Sequence, residues 1–248
     1  MKKVLYVLLI VFQISLAQTP FEQGNQYYAK ENYQAAIDRY ESIVNSGKQS
    51  AELYFNLGNS YYKLHRVGPA IYNYEKALLL SPNDAEIKTN LEFARKMAID
   101  DIKVIPKVGF NKLLSDFTSK YHYDAWAWIA VVFAFLFLAF FIGYYFSNKT
   151  FLKRFFFIGM FLWLMGIVLS AASGFYEKSR NENERPAIVF AEVADVRSEP
   201  QNASATTFVL HAGTKVYVEE TLGYWKKIQL TDGTEGWIDA RSIKEVKD

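Results

Sequence analysis

The sequence predicts a multidomain membrane protein: an all-α helical repeat stack, a transmembrane helical hairpin and a C-terminal all-β barrel. Three observations carry this prediction. Two long runs, residues 125–146 and 155–175, contain no charged side chain. Residues 19–97 repeat similar residue types at a 34-residue offset. Residues 187–248 divide into short strand-like segments separated by glycine-containing turns.

The two apolar runs come first because they set the topology. At 1.5 Å per residue each spans about 30 Å, the thickness of a bilayer's hydrocarbon core. Twelve Phe, Leu, Ile or Val residues in the first run favour insertion by roughly 5 kcal/mol. A buried helix pair in a soluble core would need polar faces that neither run has. The loop 147–154 carries Lys149, Lys153 and Arg154 and no acidic residue. Short basic loops stay in the cytoplasm, so the regions before Ala125 and after Phe175 share the other side. Trp126, Trp128, Tyr144 and Tyr145 fall near the ends of the first run, where amphipathic rings prefer the membrane interface. Gly166, Ser170 and Gly174 offer a small face on the second run, and Ala130, Ala134, Ala139 and Gly143 on the first. Such faces permit close helix approach, within the hairpin or between two copies.

Residues 1–17 read as a secretory signal, with Lys2 and Lys3, an apolar stretch from Val4, and Ser15-Leu16-Ala17 before a cleavage site. An uncleaved anchor is the alternative, and either one exports the chain from Gln18 onward. The chain has 248 residues, a formal net charge of +2 and no cysteine. Disulfides, thiol catalysis and cysteine metal sites are therefore excluded. His65, His122 and His211 are scattered without metal-ligand spacing. Residues 19–100 sum to about −1 and residues 186–248 to about −3, so neither part offers nucleic acid a basic face.

In residues 19–97, Gly24 matches Gly58, Tyr27 matches Tyr61, Ala36 matches Ala70 and Tyr40 matches Tyr74. Gly58 and Ala70 are small enough for two helices to cross closely, with Tyr61 and Tyr74 filling the space around them. Pro82 stops the second helix, and Ile87, Leu91 and Ala94 mark a further amphipathic helix that caps the stack. Five helices are expected, at about 19–29, 33–46, 50–63, 67–80 and 84–97. The period, with Tyr54, Leu57-Gly58, Tyr61, Ala70, Tyr74, Ala77 and Pro82 in the second copy, resembles the tetratricopeptide (TPR) repeat. The first copy departs from it, with Lys48 where the proline belongs. The resemblance implies a concave groove lined by the first helix of each pair. Here that assigns Asn25, Tyr28, Phe55, Asn59, Tyr62 and Lys63 to partner binding, with Glu86 and Thr89 on the next helix. The family's carboxylate clamp needs basic residues that these positions lack.

Residues 98–124 link the stack to the membrane. Pro106 and Gly109 interrupt any continuous helix. Phe110, Leu113, Leu114, Phe117 and Tyr121 then recur at helical spacing, which predicts a short amphipathic helix in the membrane interface or on the repeat stack. Residues 176–186 are polar and read as a linker of about ten residues.

In residues 187–248 the expected strands are 188–193, 207–210, 215–220, 225–230 and 235–239, with Asp232-Gly233 as a hairpin signal. Asp195-Val196-Arg197, Leu210-His211-Ala212-Gly213, Tyr224-Trp225 and Gly236-Trp237-Ile238 resemble bacterial SH3-type domains, which implies a small SH3-like barrel. Asp239 and Ser242 stand where proline-rich recognition needs a proline and a tyrosine. Tyr224 and Trp237 are the exposed aromatics for a peptide or peptidoglycan ligand, and Trp225 is expected in the core.

The order of these modules resembles BatE-type proteins of the Bacteroides aerotolerance operon. That resemblance implies a non-enzymatic scaffold in the inner membrane, with its TPR and SH3-like modules in the periplasm. It further implies von Willebrand A-domain membrane proteins and a MoxR-type ATPase system as partners, and a role in oxidative stress. The alternative is a peptidoglycan-binding anchor. An enzyme is disfavoured: Glu219 and Glu220 read as a solvated strand end, and no nucleophile–base pair or phosphate loop is evident. No cofactor is expected.

Overall fold

The computed structural model describes residues 19–102 and 109–247. The expected secretory signal and Pro106 lie outside the described residues. The chain forms two compact units. One contains residues 19–102 and 185–247, the other residues 109–184.

In the first unit five helices run in order: α1 (Pro20–Ala29), α2 (Tyr33–Asn45), α3 (Ala51–Lys63), α4 (Val67–Leu80) and α5 (Ala85–Arg95). Local chemistry starts each of them except α4. Thr19 and Glu22 form a reciprocal capping box ahead of α1, with Pro20 in the first turn. Asn32, Ser50 and Asp84 cap α2, α3 and α5 through their side-chain oxygens. The turns inside the two helix pairs place Glu31 and His65, 34 residues apart, at φ 59° and 57°. The backbone thus keeps the period where the residue types do not.

Packing obeys the same period. Tyr40 and Tyr74 are each 1% exposed and lie against Gly24 and Gly58. A Cβ at Gly58 would stand 2.7 Å from the Tyr74 ring, and one at Gly24 would run into Tyr40. Ala36, Ile37, Leu53, Leu57, Ala70, Ile71 and Ala77 complete the core, and Ile87, Leu91 and Ala94 seat α5 on it.

The C-terminal sheet has seven strands: β1 (Pro186–Val189), β2 (Val193–Arg197), β3 (Thr206–His211), β4 (Lys215–Leu222), β5 (Trp225–Gln229), β6 (Glu235–Asp239) and β7 (Ile243–Glu245). All pairings are antiparallel, in the order β3-β2-β6-β5-β4-β1-β7. The expected closed barrel is an open ladder among the described residues, because the three-residue β7 is taken up by β1. Strands β2 and β7 were not expected as strands. Val193–Arg197 reads as a charged motif, and Ile243–Glu245 is too short for alternation to register. Alternate residues such as Ala194, Val196, Val216, Val218, Ile228 and Ile238 fill the sheet's core.

β1 is buried at all four positions. Ala187 and Val189 enter the sheet's core, while Ile188 joins the core of the repeat stack. The stack and the sheet therefore share a hydrophobic interface, with Tyr72 of α4 meeting Phe190 edge-on at 5.4 Å.

The second unit contains α6 (Gly109–Thr118), α7 (Tyr123–Phe146) and α8 (Thr150–Asn183). α7 and α8 are both long and apolar enough to cross a membrane, and they pack antiparallel. Gly143 faces Phe156, Gly159 faces Phe140, Gly166 faces Phe133 and Gly174 faces Trp126. The small residues thus admit aromatic rings from within the hairpin.

Three expectations change here. The basic loop reduces to residues 147–149, because Thr150–Arg154 already belong to α8. The linker 176–186 is helical through Asn183. Its charges pair along one helix, Glu177–Arg180 at 2.7 Å and Lys178–Glu182 at 3.8 Å, which sustains the helix in a polar sequence. Third, α6 docks on the end of this hairpin. Thr118 donates to Glu177, Arg180 donates to Ser115, and the Trp126 indole donates to the Thr118 carbonyl. Trp126, expected at the membrane interface, is 6% exposed because Phe117 and Tyr121 cover it.

Candidate partner-binding site

The first helices of the repeats, α1, α3 and α5, carry two hydrogen-bonded nodes 34 residues apart. Asn25 Oδ1 accepts from Tyr40 at 2.7 Å and from Asn56 at 3.1 Å. Asn59 Oδ1 accepts from Tyr74 at 2.7 Å and from Asn90 at 2.9 Å. Each node ties a first helix to its own second helix and to the next first helix. The two asparagines expected to contact a partner therefore hold the repeats together, because their carboxamide oxygens satisfy phenols that the core has desolvated.

Beside the second node lies a cleft of about 430 Å³, lined by Tyr28, Asn59, Tyr62, Lys63, Tyr74, Glu86, Asn90 and Phe93. Tyr28, Asn59, Tyr62, Lys63 and Glu86 were expected there. Asn25 is one repeat away, and Phe55 tilts onto Tyr74 at 6.0 Å as part of the core packing. Asn90 and Phe93 were missed, yet the period pointed to them. Adding 34 to Asn56 and Asn59 reaches Asn90 and Phe93, and Leu53 and Leu57 likewise map onto the buried Ile87 and Leu91.

The chemistry of the cleft is recognition by amides, phenols and one charge of each sign. Burial, with help from Tyr33, raises the Tyr28 phenol, and burial with nearby Tyr28 and Tyr62 raises Tyr74. Both remain protonated hydrogen-bond donors at neutral pH.

On the sheet, Tyr224 is 81% exposed at the β4–β5 turn. Trp237 is half-buried, opposite Lys227 of β5 and Arg197 of β2. Trp225, expected in the core, is also half-buried and stays outside it. The register sets it opposite Asp239, two positions from Trp237, so both tryptophans share the face away from Ile228 and Ile238. Lys227 pairs there with Glu219 at 3.0 Å and Glu235 at 2.5 Å.

The junction of stack and sheet is polar at its rim. Glu75, 8% exposed, accepts from Lys215 and from Arg95, each at 2.8 Å. Asp100 accepts from the His211 amide at 2.7 Å and from the Thr214 hydroxyl, and meets His211 Nδ1 at 2.7 Å. Burial pushes the Glu75 carboxyl up, but Lys215 and then Arg95 outweigh it and hold it below its ordinary 4.5. At Asp100 burial is likewise outweighed by the bonds from Thr214 and His211, which keep it below 3.8.

Depressed carboxylate pKa values stabilise the fold fully above the unfolded values and lose that contribution as pH falls through the folded ones. The junction is therefore expected to loosen below about pH 4.5, ahead of the stack's core. Hydrogen exchange of β1 in the full-length protein in micelles would report this. An identical acid profile in Glu75→Gln would exclude Glu75 as the source.

Comparison with known families agrees with this architecture. The model for the bacterial SH3 domain matches residues 192–244, and that for the tetratricopeptide repeat matches residues 51–84. No curated protein matches the chain. The chain is thus a multidomain protein that joins a tetratricopeptide region, two apolar helices and an SH3-like sheet.

Proposed function

We propose that this chain is a non-enzymatic, membrane-anchored scaffold that presents its repeat groove and SH3-like sheet outside the cytoplasm. The observation that carries this reading is the cleft of Tyr28, Asn59, Tyr62, Lys63, Asn90 and Phe93. It borders the Asn59 node and has aromatic faces and amides suited to an extended peptide. The hairpin crosses the inner membrane with Lys149, Lys153 and Arg154 on the cytoplasmic side. Behind the N-terminal signal, both recognition modules then lie in the periplasm. The module order, like that of BatE-type proteins, points to A-domain membrane proteins and a MoxR-type ATPase system as partners, in an aerotolerance or oxidative-stress complex.

A second reading, peptidoglycan binding through the sheet, is favoured by the exposed Tyr224 and the Trp225–Trp237 face. Co-purification from gentle detergent extracts of tagged full-length protein tests both. Changing Asn59 would break the Tyr74 node, so the groove is tested with Tyr62→Ala/Lys63→Glu. We expect about a tenfold or greater loss of A-domain partners, with a cooperative melting transition showing that the variant is folded. Undiminished recovery would remove the groove from the reading, and wall fragments recovered without protein would favour the anchor.

A further inference from the structure

Helix α6 is held on the end of the α7–α8 hairpin by one of its faces. Glu177, 7% exposed, accepts from the Thr118 hydroxyl at 2.5 Å and from Arg180 at 2.7 Å, and Arg180 donates to Ser115 at 3.2 Å. Ser115 and Thr118 thus form the docked face. Leu113 and Phe117 fall on a second face and Lys112 and Asp116 on a third, each roughly a third of a turn from the next at 3.6 residues per turn. Lys112 and Asp116 pair with each other at 2.7 Å and are open to solvent. Leu113 and Phe117 are also exposed, at 69% and 47%.

The level of α6 along the hairpin is fixed as well. The ring centres of Phe117 and Tyr121 stand 5.3 Å and 5.5 Å from that of Trp126, and Trp126 in turn packs on Gly174. The charge-free runs begin at Ala125 and end at Phe175. The helix therefore sits where the apolar part of the hairpin gives way to charge. The outward side chains of the hairpin at this end, Trp128 and Phe175, are exposed too.

We propose that α6 is a third, shallow membrane element. Leu113 and Phe117 rest among the upper acyl chains around the hairpin, Tyr121 lies at the level of the headgroups, and the Lys112–Asp116 pair stays in water. The occupant of the apolar stripe is lipid because the stripe adjoins the hairpin at its apolar boundary, and an amphipathic helix placed there buries its apolar side in the interface. The Glu177 latch supplies the orientation. It fixes the roll of α6, so that the apolar stripe and the charged pair lie on different sides of the docked face. The proposal rests on the reading that α7 and α8 span a membrane, and it is independent of the groove.

The native chain has no cysteine, so single cysteines label cleanly. Leu113→Cys, Asp116→Cys and Phe135→Cys are each coupled to the fluorophore NBD in full-length protein reconstituted into phosphatidylcholine–phosphatidylglycerol vesicles. Quenching is read from aqueous iodide and from lipids carrying a nitroxide on the acyl chain, and a cooperative melting transition shows that each variant is folded. Leu113 and Asp116 belong to the same short helix, so vesicle orientation affects both equally. Iodide should quench the Leu113 label at least about threefold less than the Asp116 label, and the nitroxide lipid should do the reverse. Equal iodide quenching at the two sites would overturn the proposal. A Leu113 label shielded from iodide yet untouched by nitroxide lipid would mean that protein covers the stripe, and would overturn the lipid assignment. Phe135, in the middle of α7 and exposed, tests the hairpin itself. Its label in lipid with Leu113 in water refutes the proposal alone, whereas a Phe135 label open to iodide refutes the membrane span and the proposal together.

Discussion

Tyr74→Ala is expected to cost the repeat stack about 4 kcal/mol, the range for emptying a fully buried aromatic site. Burial and two contacts meet at that ring. It is 1% exposed, covers Gly58, and donates its hydroxyl to Asn59 at 2.7 Å. Alanine leaves a cavity that α3 and α4 cannot close without shifting their crossing. Tyr74→Phe keeps the packing and removes one hydrogen bond, while Asn59 still accepts from Asn90, so its cost should be near 1 kcal/mol. Denaturant titration of the full chain in micelles, with hydrogen exchange read over α3–α5, separates the two. Equal losses in both variants would place the energy in the hydroxyl and refute the packing account. Because the same node borders the groove, Tyr74→Ala should also abolish partner recovery, whereas Tyr74→Phe should retain most of it.

Gly213→Ala is the second large effect, expected to weaken the docking of sheet on stack by about 3 kcal/mol. Gly213 sits at φ 97°, where a side chain costs about 1–2 kcal/mol. Its new Cβ would also lie 2.7 Å from Val67 Cγ1 and 3.1 Å from Ile71 Cδ1, overpacking worth about 1–3 kcal/mol. Gly233→Ala supplies the control. It has φ 83° with nothing within 4 Å, so it carries backbone strain alone. Exchange at β1 and Phe190 should accelerate strongly for Gly213→Ala and little for Gly233→Ala, with α1–α3 unaffected in both. Similar exchange in the two variants would mean that strain, rather than the contact with α4, explains the effect.

The groove is partly legible in the sequence. Tyr28, Asn59, Tyr62 and Lys63 follow from the resemblance to the tetratricopeptide repeat, which implies a groove along the first helix of each pair, and a repeated helix pair presents the same face each time. The same arithmetic reaches Asn90 and Phe93 once α5 is treated as a third first helix rather than only as a cap. It does not reveal the use of each polar group. Asn25 and Asn59 read as surface residues, and only the positions of Tyr40 and Tyr74 show that their oxygens are committed inside the stack. Trp225 reads as a core residue. The β5–β6 register puts it on the outer face with Trp237.

The sequence by itself determined the elements: the helix period, the capping residues, the alternation of the strands and the two charge-free runs. These are properties of neighbours along the chain, where sterics and hydrogen bonding act over a few residues. Only the tertiary structure decided what each apolar face is covered by. Asp100 and His211 stand 111 positions apart, and Glu75 and Lys215 stand 140 apart. No local pattern couples them. A hydrophobic pattern requires that Ile188 and Ile71 be buried, but it is indifferent to the partner surface. Shape complementarity between α4 and β1, with the Glu75–Lys215 pair between α4 and β4, settles that choice and with it the junction.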